Sequence, residues 1–130
     1  MRTILILDDE DVIREAFSAY FEDRLWDTLP VESAEDALAL LENENPDAAI
    51  VDIRLPGMGG GDFIRNALLL KPKTVFAICT GSPEYIVPMD LRGEPQVSKF
   101  IFKKPLTKLF DLENELLSII EKLAKNEREK

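Results

Sequence analysis

The 130-residue sequence has no histidine and a single cysteine, Cys79. Without histidine, a Ser-His-Asp triad, imidazole acid–base chemistry and most zinc sites are excluded. One thiol cannot close an internal disulfide, and it suits a reducing compartment. Long apolar runs are missing as well. Ile4-Leu5-Ile6-Leu7 stops at acids, too soon for a signal-peptide core. No stretch nears the roughly 20 apolar residues of a membrane span. Basic residues are outnumbered: 16 Lys and Arg face 25 Asp and Glu, a net charge of −9. That deficit argues against nucleic acid and anionic membrane surfaces as partners. The expected setting is the cytoplasm.

What is present is an alternation. Ile4–Leu7 is apolar without a break, as in a strand buried on both faces. Val12, Ile13, Ala16, Phe17, Tyr20 and Phe21 then repeat at helical spacing, predicting a helix over 11–24. Trp26–Val31 reads as a weaker strand, and Pro30 places it at a sheet edge. Ser33 caps a second helix, which stops at Asn45-Pro46. Ala48–Ile53 is a third strand, and Leu55–Gly61 is a glycine-rich loop. Helix over 62–70, strand over 74–80, strand over 99–103 and a long helix over 107–123 follow. Between 81 and 98, Pro83, Pro88 and Pro95 leave room only for a short or irregular fourth helix. Cys79 and Trp26 read as packing residues.

Strands alternating with helices specify an α/β fold with helices on both faces of a parallel sheet. Five strands predict the doubly wound, flavodoxin-like class, strand order 2-1-3-4-5, with ligands at the carboxyl ends of the strands. The expected layout is one domain over 1–124 and a charged tail over 125–130.

Those strand ends carry the chemistry. The first ends in Asp8-Asp9, the third at Asp52, the fourth at Thr80 and the fifth at Lys103-Lys104-Pro105. Neighbouring first and third strands bring three carboxylates into one crevice. Their repulsion calls for a cation. Oxygen ligands select a hard ion, Mg²⁺ or Mn²⁺. Such an ion leaves one carboxylate free to take a phosphoryl group, with the lysine and the Thr80 hydroxyl beside it.

This set resembles the receiver domain of two-component response regulators, the CheY-like family. Ile4–Glu10 resembles its acidic-pair strand, and Pro46–Gly60 its phosphoacceptor strand and loop. Thr80-Gly81 and Lys104-Pro105 complete the pattern over about residues 2–123. The resemblance implies that Asp52 accepts phosphate from a phosphohistidine on a partner histidine kinase or phosphotransfer protein. It implies Mg²⁺ held by Asp9 directly, by Asp8 mainly through water, and by Asp52 and the backbone carbonyl of Arg54. Thr80 and Lys104 would report the phosphorylated state to a downstream protein; a homodimer stays open. The chain would take part in its own phosphotransfer and dephosphorylation without being a stand-alone enzyme.

Two positions depart from the family pattern. Ile101 stands at the switch position, three before Lys104, where the family often has an aromatic. The fourth helix falls among prolines. Taken singly, Asp8-Asp9 would also serve as helix caps, Asp52 as a turn residue, and Lys103 in place of Lys104. Gly59-Gly60-Gly61 lacks the Lys-Ser/Thr of a P-loop and reads as a turn into the third helix. Two other functions compete: a degenerate receiver that binds partners without phosphorylation, and a small Asp-nucleophile phosphohydrolase, for which Asp9-Glu10-Asp11-Val12 is a loose match. A flavodoxin-type FMN carrier is disfavoured, since no Ser/Thr-rich loop follows the first strand.

Overall fold

The computed structural model describes residues 1–71, 73–104 and 108–129. The strands are β1 (Thr3–Leu7), β2 (Asp27–Val31), β3 (Ala48–Asp52), β4 (Val75–Thr80) and β5 (Val97–Lys103). The helices are α1 (Asp11–Asp23), α2 (Ala34–Leu41), α3 (Gly60–Leu70), α4 (Met89–Arg92) and α5 (Leu109–Arg128). All strand pairs are parallel, in the order β2-β1-β3-β4-β5. This is the doubly wound, CheY-like arrangement that the sequence predicts.

Alternation along the strands sorts the core into two layers. Leu5, Leu7, Ala49, Val51, Phe76 and Ile78 face α2, α3 and α4. Ile4, Ile6, Ala48, Ile50, Ala77 and Cys79 face α1 and α5. Because both faces are covered, β3 and β4 are buried throughout, which is why they are apolar at every position except their carboxyl ends. Pro30 sits on edge strand β2, where its missing N–H does no harm. Ser33 caps α2 as expected, its hydroxyl accepting from the Asp36 N–H at 3.1 Å.

Four elements differ from the sequence reading. Helix α2 ends at Leu41, with Glu42 as its C-cap, short of the stop expected at Asn45-Pro46. Helix α3 starts two residues early, at Gly60. A Cβ there would stand 2.2 Å from the Asp52 carbonyl oxygen, so only glycine lets α3 approach β3 so closely. Helix α5 runs past Leu123 to Arg128; Ala124–Arg128 is built of residues that tolerate helix, with Lys125 and Arg128 near the negative end of its dipole. Strand β5 starts at Val97 and is bulged: Val97 pairs with Phe76 and Ile101 with Ile78, so between these pairs one residue of β4 opposes three of β5.

The fourth helix is a single turn, as the prolines foretell. Val87 and Leu91 bury beneath it, and Arg65 of α3 clamps Asp90 through both of its oxygens, at 2.7 and 3.1 Å. Pro105 and the expected helix start at Thr107 lie outside the described residues.

Candidate functional site

Each site residue stands where a buried strand meets solvent. Asp8 follows β1, Asp52 ends β3, Thr80 ends β4 and Lys104 follows β5. Since β1 and β3 are direct neighbours, Asp8 and Asp52 emerge side by side. Carboxylate oxygens of Asp8, Asp9 and Asp52 lie within 4.8 Å of one another. Asp8 and Asp52 are buried; Asp9 is open to solvent.

Lys104 is the counter-charge. Its Nζ is 2.5 Å from Asp8 Oδ2, 3.1 Å from Asp52 Oδ2 and 3.3 Å from Glu10 Oε2. Lys103 turns the other way and donates to the Ser82 carbonyl at 2.8 Å. Of the two lysines, Lys104 therefore meets the carboxylates. The second oxygen of each buried aspartate accepts a backbone N–H: Asp8 Oδ1 from Glu10 at 2.9 Å, Asp52 Oδ1 from Arg54 at 3.1 Å. Every oxygen of the buried pair thus has a donor, as burial requires.

Electrostatics follow from this packing. Burial pushes the Asp52 carboxyl up, and although the Lys104 bond and charge pull it back, it stays above the usual aspartate value. Burial alone would lower Lys104, but its bonds to Asp8 and Asp52 hold it above the ordinary lysine value, so it remains an ammonium. Three acids nonetheless share one lysine, and Asp9 stands beside two of them. The surplus negative charge, offered by oxygens alone, fits a hard divalent cation of the Mg²⁺ type.

Thr80 is fully buried, and its hydroxyl accepts from the Ser82 N–H at 3.1 Å. Its carbonyl accepts from the Lys104 backbone N–H at 3.0 Å, joining the ends of β4 and β5. Ile101 is half-buried beside Ile78. Burial pushes the Cys79 thiol up to about 12, so it is unreactive at neutral pH.

Sequence reasoning missed three groups. Glu10, quoted only within its strand motif, is a third partner of Lys104. The Arg54 side chain reaches across the site mouth to Ser82 Oγ at 3.1 Å. Glu113 of α5 is buried and accepts from Trp26 Nε1 at 2.9 Å, Tyr20 OH at 3.0 Å and Arg24 Nε at 3.0 Å. Its place between Leu109 and Leu116 on the apolar stripe was the available signal.

In a doubly wound sheet the ligand site lies at the switch point, which is where these carboxylates and the opposed lysine stand. The chain belongs to the response regulator receiver domain family, whose model matches residues 4–112. Domains of this family are signalling modules rather than stand-alone enzymes. A CheY-like receiver domain protein from Methanospirillum hungatei superposes with a TM-score of 0.76 and 27% identity, over 100% of this chain and 99% of that one. The response regulator TrrA of Thermotoga maritima, solved in complex with Mg²⁺-BeF, shares the fold at a TM-score of 0.78 and 22% identity, over 92% of this chain and 99% of that one. Among curated relatives, the heme response regulator HssR of Staphylococcus saprophyticus is 43% identical over 65 residues, 50% of this chain and 29% of that protein. The chain spans only about a fifth to a third of the curated relatives it matches first. Among the described residues, no helix is long and apolar enough to cross a membrane.

Proposed function

We propose that this chain is a phosphoryl-accepting receiver of a two-component system, with Asp52 as the acceptor. The observation that carries the reading is the cluster of Asp8, Asp9 and Asp52 at the switch point of the sheet, with Lys104 bonded to Asp8 and Asp52. A carboxylate oxygen of Asp52 attacks the phosphorus of a phosphohistidine on a partner kinase or phosphotransfer protein. The new O–P bond forms as the N–P bond breaks, and the imidazole leaves with that electron pair. Lys104, already protonated, neutralises charge on the transferred group. Asp9, Asp8, Asp52 and the Arg54 carbonyl would hold Mg²⁺, which supplies positive charge to the phosphoryl oxygens. The TrrA complex with Mg²⁺-BeF supports that choice of ion by analogy.

Thr80 and Lys104 are the residues that read the phosphorylated state. Their backbones are bonded to each other, so a phosphoryl group drawing either side chain perturbs both strand ends. Ile101, which takes the place of an aromatic switch, moves little, and the change passes through the 81–98 segment to a downstream protein. Cytoplasmic location follows from this role.

The test is incubation with acetyl phosphate, with and without Mg²⁺, followed by intact-mass spectrometry of the wild type and Asp52→Asn. Mg²⁺-dependent gain of one phosphoryl group in the wild type alone is expected. No gain under any condition would instead assign the chain to receivers that act without phosphorylation.

A further inference from the structure

We propose that the groove between α2 and α3 docks an amphipathic helix of another protein, one that carries basic residues beside an apolar stripe. Glu35, Leu38, Ala39 and Glu42 form one wall, at the helical spacing i, i+3, i+4, i+7 on α2 and its C-cap. Leu69 and Leu70, in the last turn of α3, form the other. The space between them is about 480 Å³. Leu69 is 85% exposed and Leu70 52%. These leucines are not unfinished core. The inward face of α3 is already complete with Phe63, Ile64 and Ala67, each fully buried. Two adjacent leucines exposed beside a second apolar strip mark a surface meant to be covered.

Charge selects the occupant. No Lys or Arg occurs between Arg24 and Arg54, while that stretch carries Asp27, Glu32, Glu35, Asp36, Glu42, Glu44, Asp47 and Asp52. The charged groups of the groove are Glu35 and Glu42, and among the described residues neither is in a salt bridge. Seven residues apart on a helix, they stand about 10 Å apart along the groove. A partner helix lying along it meets both with Lys or Arg of the same spacing, and its apolar stripe fills the floor. A second copy of this chain suits the groove poorly, because it brings a net charge of −9 to an acidic rim.

The test needs no phosphorylation, so its outcome is independent of the role of Asp52. The probe is a capped synthetic peptide of about four helical turns, with leucines at three–four spacing and lysines elsewhere. An isomer of equal composition with the stripe scrambled is the control. Amide chemical shifts of the full chain are followed on titration. Saturable shifts confined to residues 35–42 and 66–70 are expected, with about tenfold weaker binding in Leu69→Ser. Glu42→Gln should reduce the salt dependence of binding. Because Leu69 is exposed, Leu69→Ser leaves the fold intact. Equal binding of the scrambled peptide, shifts spread over the acidic surface, or full affinity in Leu69→Ser overturns the proposal. Self-association without peptide that Leu69→Ser abolishes also overturns it, assigning the groove to a second copy.

Discussion

Gly60→Ala places one methyl group where α3 presses on the end of β3, and its effect can be worked from the geometry. The new Cβ would lie 2.2 Å from the Asp52 carbonyl oxygen and 2.9 Å from Ile53 Cα. Carbon and oxygen in contact stand about 3.3 Å apart, so the helix start must retreat by about 1 Å. The obstructing atoms are backbone and cannot swing aside. Overpacking of this kind costs about 1–3 kcal/mol. Replacing glycine returns about 0.4–1 kcal/mol by restricting the unfolded chain. The net loss is about 1–2 kcal/mol, a fall in Tm of about 5 °C for a chain of this length. Gly61→Ala is the internal control. It carries the same unfolded-state gain, but its Cβ meets only Arg65 Nη1 at 3.5 Å, an ordinary contact. Thermal unfolding followed by circular dichroism compares the two. Gly60→Ala as stable as Gly61→Ala would refute the close approach of α3 to Asp52. The same shift displaces the Asp52 backbone, so phosphorylation by acetyl phosphate should slow in Gly60→Ala and not in Gly61→Ala.

Lys104→Met in metal-free buffer should cost about 2–4 kcal/mol at pH 7, because it leaves buried carboxylates without their cation. Asp52 already sits above its unfolded value, so its charge opposes folding once pH rises through its folded pKa. Loss of Lys104 raises it further. The deficit should therefore shrink as pH falls toward 4, and Mg²⁺ should reduce it at pH 7; a pH-independent deficit in urea titrations contradicts this. Glu113→Ala should lose about 2–4 kcal/mol, discounted for the half-exposed Arg24, since the buried Trp26 N–H loses its acceptor. Glu113→Gln should lose less, and Trp26 emission should shift in the alanine variant; stability within about 0.5 kcal/mol of wild type in Glu113→Ala would contradict the network.

The features legible in the sequence were those that burial on two faces imposes. A strand covered by helices on both sides must be apolar throughout, so Asp8, Asp52 and Thr80 stood out at the points where β1, β3 and β4 reach solvent. Pro83, Pro88 and Pro95 announced a curtailed fourth helix for a similarly local reason. What stayed hidden depends on contacts between distant segments. Glycine has poor helix propensity, so the start of α3 at Gly60 is visible only once the Asp52 carbonyl is known to lie against it. The β5 bulge is a property of its pairing with β4 and leaves no periodic mark. Glu113 interrupted an apolar stripe, but its partners Trp26 and Tyr20 are 87 and 93 residues away. Glu10 was in view, yet only the arrival of Lys104 from the far edge of the sheet gives it a partner.

The central claim is that Asp52, and no other carboxylate in the crevice, takes the phosphoryl group. Treatment with acetyl phosphate and Mg²⁺, followed by borohydride reduction and peptide mass spectrometry, addresses it directly. Reduction converts a phosphorylated aspartate into homoserine and leaves free carboxylates untouched. Homoserine at position 52 alone, absent when Mg²⁺ is chelated, is the predicted result. Homoserine at position 8 or 9, or at position 52 regardless of Mg²⁺, would contradict the account.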